Sequence, residues 1–175
     1  MIEGPAVVGM GLRSQSNLNL TMRRRRPEKR IILPDTKYND LSVAKFINYI
    51  MENGKKGIAE KIFYGAMNII EIKTKTDGIK IFKKGIENAS PSVEVKSRRI
   101  GGATYQVPIE VPRNRAFYLA SLWIINSSNN SSGKPMSEKL ASELIAAANG
   151  DGGAIKKKED THRMADANKA FAHFR

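Results

Sequence analysis

Lysine and arginine are the residues whose number and grouping could do chemistry in this sequence. They total 30 against 17 acidic residues, which gives a formal net charge of +13. Such a charge favours an acidic polymer as partner, because each phosphate that is neutralised releases condensed counterions. An anionic membrane surface would also attract the chain, but the cations concentrate in tails, turns and one ribbon rather than on one face of an amphipathic helix. The sequence therefore predicts binding to nucleic acid.

The remaining reactive side chains are too few or wrongly spaced for catalysis or metal binding. His162 and His173 are the only histidines, and there is no cysteine to complete a metal site. Glu159 and Asp160 are adjacent, so on a helix they point apart and cannot act as an acid–base pair. The glycines at 101–102 are not followed by the lysine and hydroxyl residue of a phosphate loop. We therefore predict no enzymatic activity, no metal and no cofactor.

Residues 92–111 predict a basic β-ribbon. Apolar and polar residues alternate over 93–96 and again over 105–111, which is the period of a half-buried strand. Gly101 and Gly102 lie between the two runs and suit a tight hairpin turn. Pro108 lacks an N–H to donate and so belongs on a sheet edge, which both strands of an isolated ribbon provide. The ribbon by itself is either an ordinary surface hairpin or a nucleic-acid-binding arm, and the rest of this basic chain favours the arm.

Apolar residues at helical spacing predict the rest of the body. The first helix is expected to begin at Asn39 or Asp40 and to end at Gly54, so that Lys55 and Lys56 lie in a turn. These lysines could complement the helix end or reach a phosphate. Residues 127–133 are predicted to form a polar link. Trp123 is expected to pack between helices in the core rather than to form a base-stacking platform, which would need an exposed strand face with several aromatic residues. The other helices are predicted over about 58–73, 77–89, 116–124 and 140–148 and from about Asp160 onward.

Charge and period divide the chain into three parts. Residues 1–21 show no period and are predicted to be a disordered extension. Residues 22–38 form a basic N-terminal arm, in which positions 23–30 carry six cations and one glutamate. Residues 39–175 form the helical domain. The predicted fold is thus mainly α, a single bundle of about six helices with a protruding two-stranded β-ribbon.

Three stretches resemble one known family in order and over long runs. They are K-F-I-N-Y-I-M-E-N-G-K-K (45–56), V-E-V-K-S-R-R-I-G-G-A-T-Y-Q-V-P-I-E-V (93–111) and K-K-E-D-T-H-R-M-A-D-A-N-K-A-F-A-H-F-R (157–175). They closely resemble the bacterial-type family of ribosomal protein seven of the small subunit, from about residue 22 to the C-terminus. The resemblance implies a structural, non-enzymatic protein that binds small-subunit rRNA. It also implies docking on the 3′ major domain, nucleation of head assembly and a place near the mRNA exit path and the exit-site tRNA, beside neighbouring head proteins and protein eleven.

The resemblance implies a set of RNA-contacting cations. Two departures from the family pattern concern the first 21 residues, which have no counterpart, and the nearly uncharged run 123–133, where RNA contacts are in doubt. The abundance of isoleucine, lysine and asparagine fits a bacterial or an organellar source, with the protein in a cytoplasmic or organellar ribosome. An architectural DNA-binding protein with a β-ribbon arm is the alternative, although Ile100 is a poor apolar wedge. The implied RNA-binding residues are Arg23, Arg24, Arg25, Arg26, Lys29, Arg30, Lys55, Lys56, Lys96, Arg98, Arg99, Arg113, Arg115, Lys134, Lys156, Lys157, Lys158 and Arg163.

Overall fold

Helices dominate the part of the chain that the structure describes, which is residues 31–174 without the side chain of Phe174. The structure is a computed structural model. Residues 32–174 belong to one compact unit, and its six helices and single two-stranded sheet confirm the predicted fold class. The elements are α1 Leu41–Ile50, α2 Lys56–Thr74, α3 Gly78–Ala89, β1 Val93–Ile100, β2 Ala103–Glu110, α4 Arg113–Asn130, α5 Met136–Ala148, α6 Gly153–Ala167 and a 3-10 helix Lys169–Phe174.

The first and third helices begin at aspartate caps. Asp40 Oδ1 accepts the Ser42 N–H at 2.7 Å, and Asp77 Oδ1 accepts the Ile79 N–H at 3.1 Å, each satisfying a free donor of the first turn. The predicted end of α1 at Gly54 is wrong. The helix stops at Ile50, and Gly54, with φ +73°, lies in the turn that follows.

Three fully buried phenylalanines from three helices form the centre of the core. Phe46 of α1, Phe63 of α2 and Phe82 of α3 lie with ring centroids 5.0 to 5.8 Å apart in tilted and edge-to-face arrangements. Helix α5 packs on α2, α3 and α4. At the α3–α5 crossing, a Cβ at Gly85 would lie only 3.2 Å from the Leu144 carbonyl oxygen, so this position requires a very small residue.

A buried carboxylate holds the chain just before α1. Asp35 is 7% exposed and accepts the Lys37 and Tyr38 N–H groups and the Tyr64 hydroxyl, the last at 2.7 Å. Burial, together with the hydrogen bond to Asp35, raises the pKa of Tyr64 to about 12. The C-terminal end of the predicted 22–38 arm is therefore attached to α2.

Two predicted boundaries in the second half of the chain are wrong. The polar run 127–133 is helical as far as Asn130. Ser128 is buried, and its hydroxyl donates to the Ile124 carbonyl at 2.8 Å. The polar side chain therefore has its hydrogen-bond partner within the helix and does not interrupt it. Helix α6 begins at Gly153 rather than near Asp160, because buried Ala154 and Ile155 already belong to its apolar face.

The predicted last helix also differs from the structure. The last helix was expected to place Met164, Asn168 and Phe171 on one face. Helix α6 instead ends at Ala167, and a 3-10 helix begins at Lys169. Among residues 31–174, no helix is long and apolar enough to cross a membrane.

Candidate nucleic-acid interface

The β-ribbon is a regular antiparallel hairpin with a two-residue turn. Strand β1 pairs with β2 from Val93 opposite Glu110 to Ile100 opposite Ala103. Gly101 and Gly102 have φ values of +56° and +90°, the two positive angles that a type I′ turn needs. The predicted hairpin and its glycine turn are therefore confirmed.

The strand register places the charges of β1 beside the apolar residues of β2. Lys96 lies opposite Val107 and Arg98 opposite Tyr105, and directly paired residues share one face of a sheet. Val107 is fully buried near the base, whereas residues 96–104 are exposed and Tyr105 is half-buried. The base of the ribbon is therefore packed, and its tip presents cations to the surroundings on both faces.

Glu94 connects the base of the ribbon to α4, a role that the sequence did not reveal. Its side chain is 11% exposed, and Oε2 accepts both Nε and Nη2 of Arg115 at 3.3 Å. Lys96 Nζ lies 3.6 Å from Oε1 of the same carboxylate. The Arg115 guanidinium also lies 5.3 Å from the centre of the Tyr118 ring. Two predicted RNA-binding cations thus hold an internal carboxylate, while Arg113 in the same turn of α4 is exposed.

Helix α6 and the 3-10 helix support the ribbon from the other side. His162 Nε2 accepts the Ser92 N–H at 3.2 Å. Further along the ribbon, the Tyr105 and Phe171 rings lie 5.3 Å apart. The ribbon and the C-terminal elements therefore form one continuous surface.

The lysine cluster of α6 divides between this surface and the interior. Lys156 and Lys157 are exposed, but Lys158 is half-buried and donates to the Asn88 carbonyl at 2.6 Å, near the end of α3. Arg163 is exposed, with Nη1 3.7 Å from Asp160 Oδ1. Lys156, Lys157 and Arg163 thus remain accessible, whereas Lys158 already has a partner in the fold.

A second accessible group lies at the turn between α1 and α2. Lys55 and Lys56 are exposed, and Lys56 Nζ lies 3.8 Å from Glu60 Oε1. Lys55 lines a groove of about 370 Å³ together with Lys139 of α5, a cation that the sequence did not single out. Lys139 reaches this groove because α5 packs against α2, an arrangement that the sequence alone does not show. Lys134 is exposed in the link between α4 and α5.

Two tyrosines join the turn to the base of the ribbon. The Tyr49 and Tyr118 rings lie 5.4 Å apart at a steep angle, and Tyr49 also lines the groove beside Lys55. Burial, reinforced by Tyr118, raises the pKa of Tyr49. Arginine and aromatic rings side by side form a surface on which bases can stack.

Six of the predicted RNA-binding cations lie outside the described residues. They are Arg23, Arg24, Arg25, Arg26, Lys29 and Arg30. Within residues 31–174, no group of three or more histidine, cysteine, aspartate or glutamate side chains could hold a metal ion. The chemistry of the described surface is that of cations, amides and aromatic rings.

Comparison with known proteins shows the family to which this chain belongs. The sequence profile of the family described as ribosomal protein S7p/S5e matches residues 22–169. The small ribosomal subunit protein uS7 of Gemmatimonas aurantiaca is 58% identical over 153 residues, which cover 87% of this chain and 98% of the relative. The protein of the same name from Thermotoga maritima is 58% identical over 154 residues, covering 88% of this chain and 99% of the relative. The chain therefore belongs to the ribosomal protein S7p/S5e family, whose members are structural, non-enzymatic components of the ribosome.

Proposed function

We propose that this chain is a primary rRNA-binding protein of the small ribosomal subunit. The observation that carries this proposal is the placement of exposed cations at separate points of one folded body. They lie at the ribbon tip (Arg98 and Arg99), at the α1–α2 turn (Lys55) and along α6 (Lys156 and Lys157). Separated patches can neutralise phosphates of several RNA segments at once, as a protein that organises an RNA junction requires.

The mechanism is recognition of RNA shape rather than of paired sequence. The deep, narrow major groove of an RNA helix is closed to side chains, so structured RNA is read mainly through its backbone and minor groove. Each phosphate that a lysine or arginine neutralises releases counterions and adds affinity. A body with a packed core fixes the distances between its patches, and those distances would select one arrangement of the converging helices.

The finer features of the family resemblance complete the proposal. The protein would dock on the 3′ major domain, nucleate assembly of the head and lie near the mRNA exit path and exit-site tRNA. Neighbouring head proteins and protein eleven would be its protein partners. We assign RNA binding to the arm 22–38 and to the domain 39–175, and no function to residues 1–21. The relatives named above are bacterial, which favours a cytoplasmic ribosome over an organellar one.

A competition experiment tests the proposal. The full chain is bound to a folded fragment of the 3′ major domain, and duplex DNA is added at equal nucleotide concentration and constant salt. We expect the RNA complex to persist, because several separated patches can each contact a different helix of a folded junction, whereas a uniform duplex offers a single helix. Displacement of the RNA by the DNA would overturn the proposal and favour the architectural DNA-binding alternative. Ile100, 37% exposed beside the turn, is the apolar side chain that such a protein would insert.

A further inference from the structure

A cavity lined by polar side chains and one tryptophan lies between the second half of α4 and the start of α6. Its volume is about 350 Å³, within the roughly 300–1,000 Å³ typical of ligand sites. It is lined by Trp123, Asn126, Ser127, Asn130, Gly153 and Lys157. It lies in the uncharged run 123–133, where the family resemblance left RNA contacts in doubt.

The lining residues offer an aromatic ring for stacking, amides for the edge of a base and a lysine for a phosphate. Trp123 is half-buried and packs against the core, which holds the indole ring in place while part of it lines the cavity. A fixed aromatic ring stacks on any base, since every base has a π-face. Asn126 and Asn130 are exposed, and each amide offers both a donor and an acceptor to the edge of a base.

The charges around the cavity separate a place for the base from a place for its phosphate. Lys157 is exposed at one wall and can neutralise a phosphate. The start of α6 is already occupied, because Glu143 Oε1 accepts the Ala154 N–H at 2.9 Å. The carboxylate makes that end of the cavity unfavourable for an anion. A neutral base beside the indole and the amides, with its phosphate toward Lys157, suits this distribution of charge.

The shape of the cavity depends on a close approach of the two helices. A Cβ at Gly153 would collide with the Ser127 hydroxyl and lie 3.1 Å from the Ser127 Cβ, so any larger residue here would require Ser127 to move. The width of the cavity at this point therefore depends on how closely the backbones of α4 and α6 pack. The same approach brings Lys157 of α6 to the cavity that Asn126 and Asn130 of α4 also line.

We propose that this cavity binds one unstacked base of single-stranded RNA, with Trp123 as the stacking surface and the two asparagine amides on the base edge. The inference rests on the proposed RNA-binding function and adds a site for one base in a region of α4 where the family resemblance left RNA contacts in doubt. Unstacked bases in loops and bulges are the usual targets of sequence-sensitive RNA recognition.

The sole tryptophan makes the site directly observable. The full chain is titrated with short oligoadenylate or oligouridylate, and separately with an RNA duplex of the two, while tryptophan emission is recorded. We expect saturable quenching by the single strands and little by the duplex, whose bases are already stacked and paired. Equal responses to both, or no response to either, would overturn the inference.

Substitution of the amides tests the site without removing the reporter. The double variant Asn126→Ala with Asn130→Ala is expected to bind the single strands about tenfold more weakly. The matched control is Asn68→Ala, which removes an exposed amide on α2 that does not line the cavity. Unchanged affinity in a folded double variant contradicts the proposal. Should the double variant fail to fold, crosslinking of the unaltered chain to thiouridine-containing RNA decides, with the adduct expected within residues 123–130.

The same variants separate this inference from the proposed function. If the folded 3′-domain fragment binds tightly while tryptophan emission and the amide substitutions have no effect, the cavity is not a base site and the proposed function stands. If single strands quench the emission but the folded fragment does not bind, the base site stands and the proposed ribosomal role fails.

Discussion

Among individual residues, Glu94 shows how a charged side chain on the ribbon serves the fold. The alternation in β1 places the Glu94 side chain on the other face of the strand from Val93 and Val95, where a polar residue would be expected to face solvent. Glu94 is nevertheless buried. Arg115 and Lys96 compensate its charge. A buried carboxylate that loses its partner is costly, because the remaining charge is neither hydrated nor paired.

Replacing Arg115 with alanine is therefore expected to destabilise the protein. The loss should be about 1–2 kcal/mol in the free energy of unfolding, a modest figure because Arg115 is partly exposed. Urea denaturation measures it. Arg113→Ala is the matched control, since Arg113 is an exposed arginine in the same helical turn and should change stability by less than about 0.5 kcal/mol. Equal stability of the two variants would show that the Glu94 pair is not structural.

The ion pair at the start of α1 predicts a pH dependence. Lys83 Nζ lies 2.6 Å from Asp40 Oδ2, and this hydrogen bond outweighs burial and holds the pKa of Asp40 below its ordinary value of 3.8. A lowered folded pKa stabilises the protein above the unfolded pKa, and the stabilisation is lost as the pH falls through the folded pKa. The contribution is therefore present at neutral pH and disappears in acid.

Asp40→Asn isolates that charge, because asparagine caps helices as well as aspartate does. We expect this variant to be less stable by about 0.5–1 kcal/mol at neutral pH. The deficit should vanish as the pH falls through the lowered folded pKa of Asp40, below its ordinary value of 3.8, where both chains lack the charge. Urea melts across this pH range provide the measurement, with Asp77→Asn, a second helix cap, as control. A deficit that persists in acid would indicate a lost cap rather than a lost ion pair.

At the scale of elements, the ribbon has a fixed base and an exposed tip. Val107, the Glu94 pair and the His162 contact hold the base, and none of them involves Arg98 or Arg99. The sequence predicted this element closely, because strand alternation and a glycine turn are local signals. It missed the end of α4 and the start of α6 because buried serines, threonines and alanines do not stand out as an apolar stripe.

The double variant Arg98→Ala with Arg99→Ala should keep the fold and lose RNA affinity. We expect a change of less than about 0.5 kcal/mol in stability and a loss of about tenfold or more in affinity for the 3′-domain fragment. Lys73→Ala with Lys75→Ala removes the same charge from exposed positions outside the proposed surface and serves as control. Equal affinities of the two variants, or normal subunit incorporation and tRNA handling without the ribbon arginines, would remove the ribbon from the interface.

For the whole molecule, the balance between arm and domain determines the salt dependence of binding. Truncation before Ile31 removes Arg23, Arg24, Arg25, Arg26, Lys29 and Arg30. If each of the six contacts a phosphate, the slope of log affinity against log salt should fall in magnitude by about four to five, at roughly 0.7 per contact on single strands and 0.9 on duplex nucleic acid. Filter binding at several salt concentrations measures it. An unchanged slope would show that the arm makes no phosphate contact.

The sequence by itself determined the helical class, the ribbon with its turn, the cationic character and the family. These features depend on period, turn chemistry and composition, all of which are local. Only the tertiary structure decided which cations remain accessible. Lys158 is taken by the Asn88 carbonyl and Arg115 by Glu94, while Lys139 joins Lys55 in one groove. These contacts are made between residues that lie far apart in the chain, so they depend on the strand register and on how the helices cross.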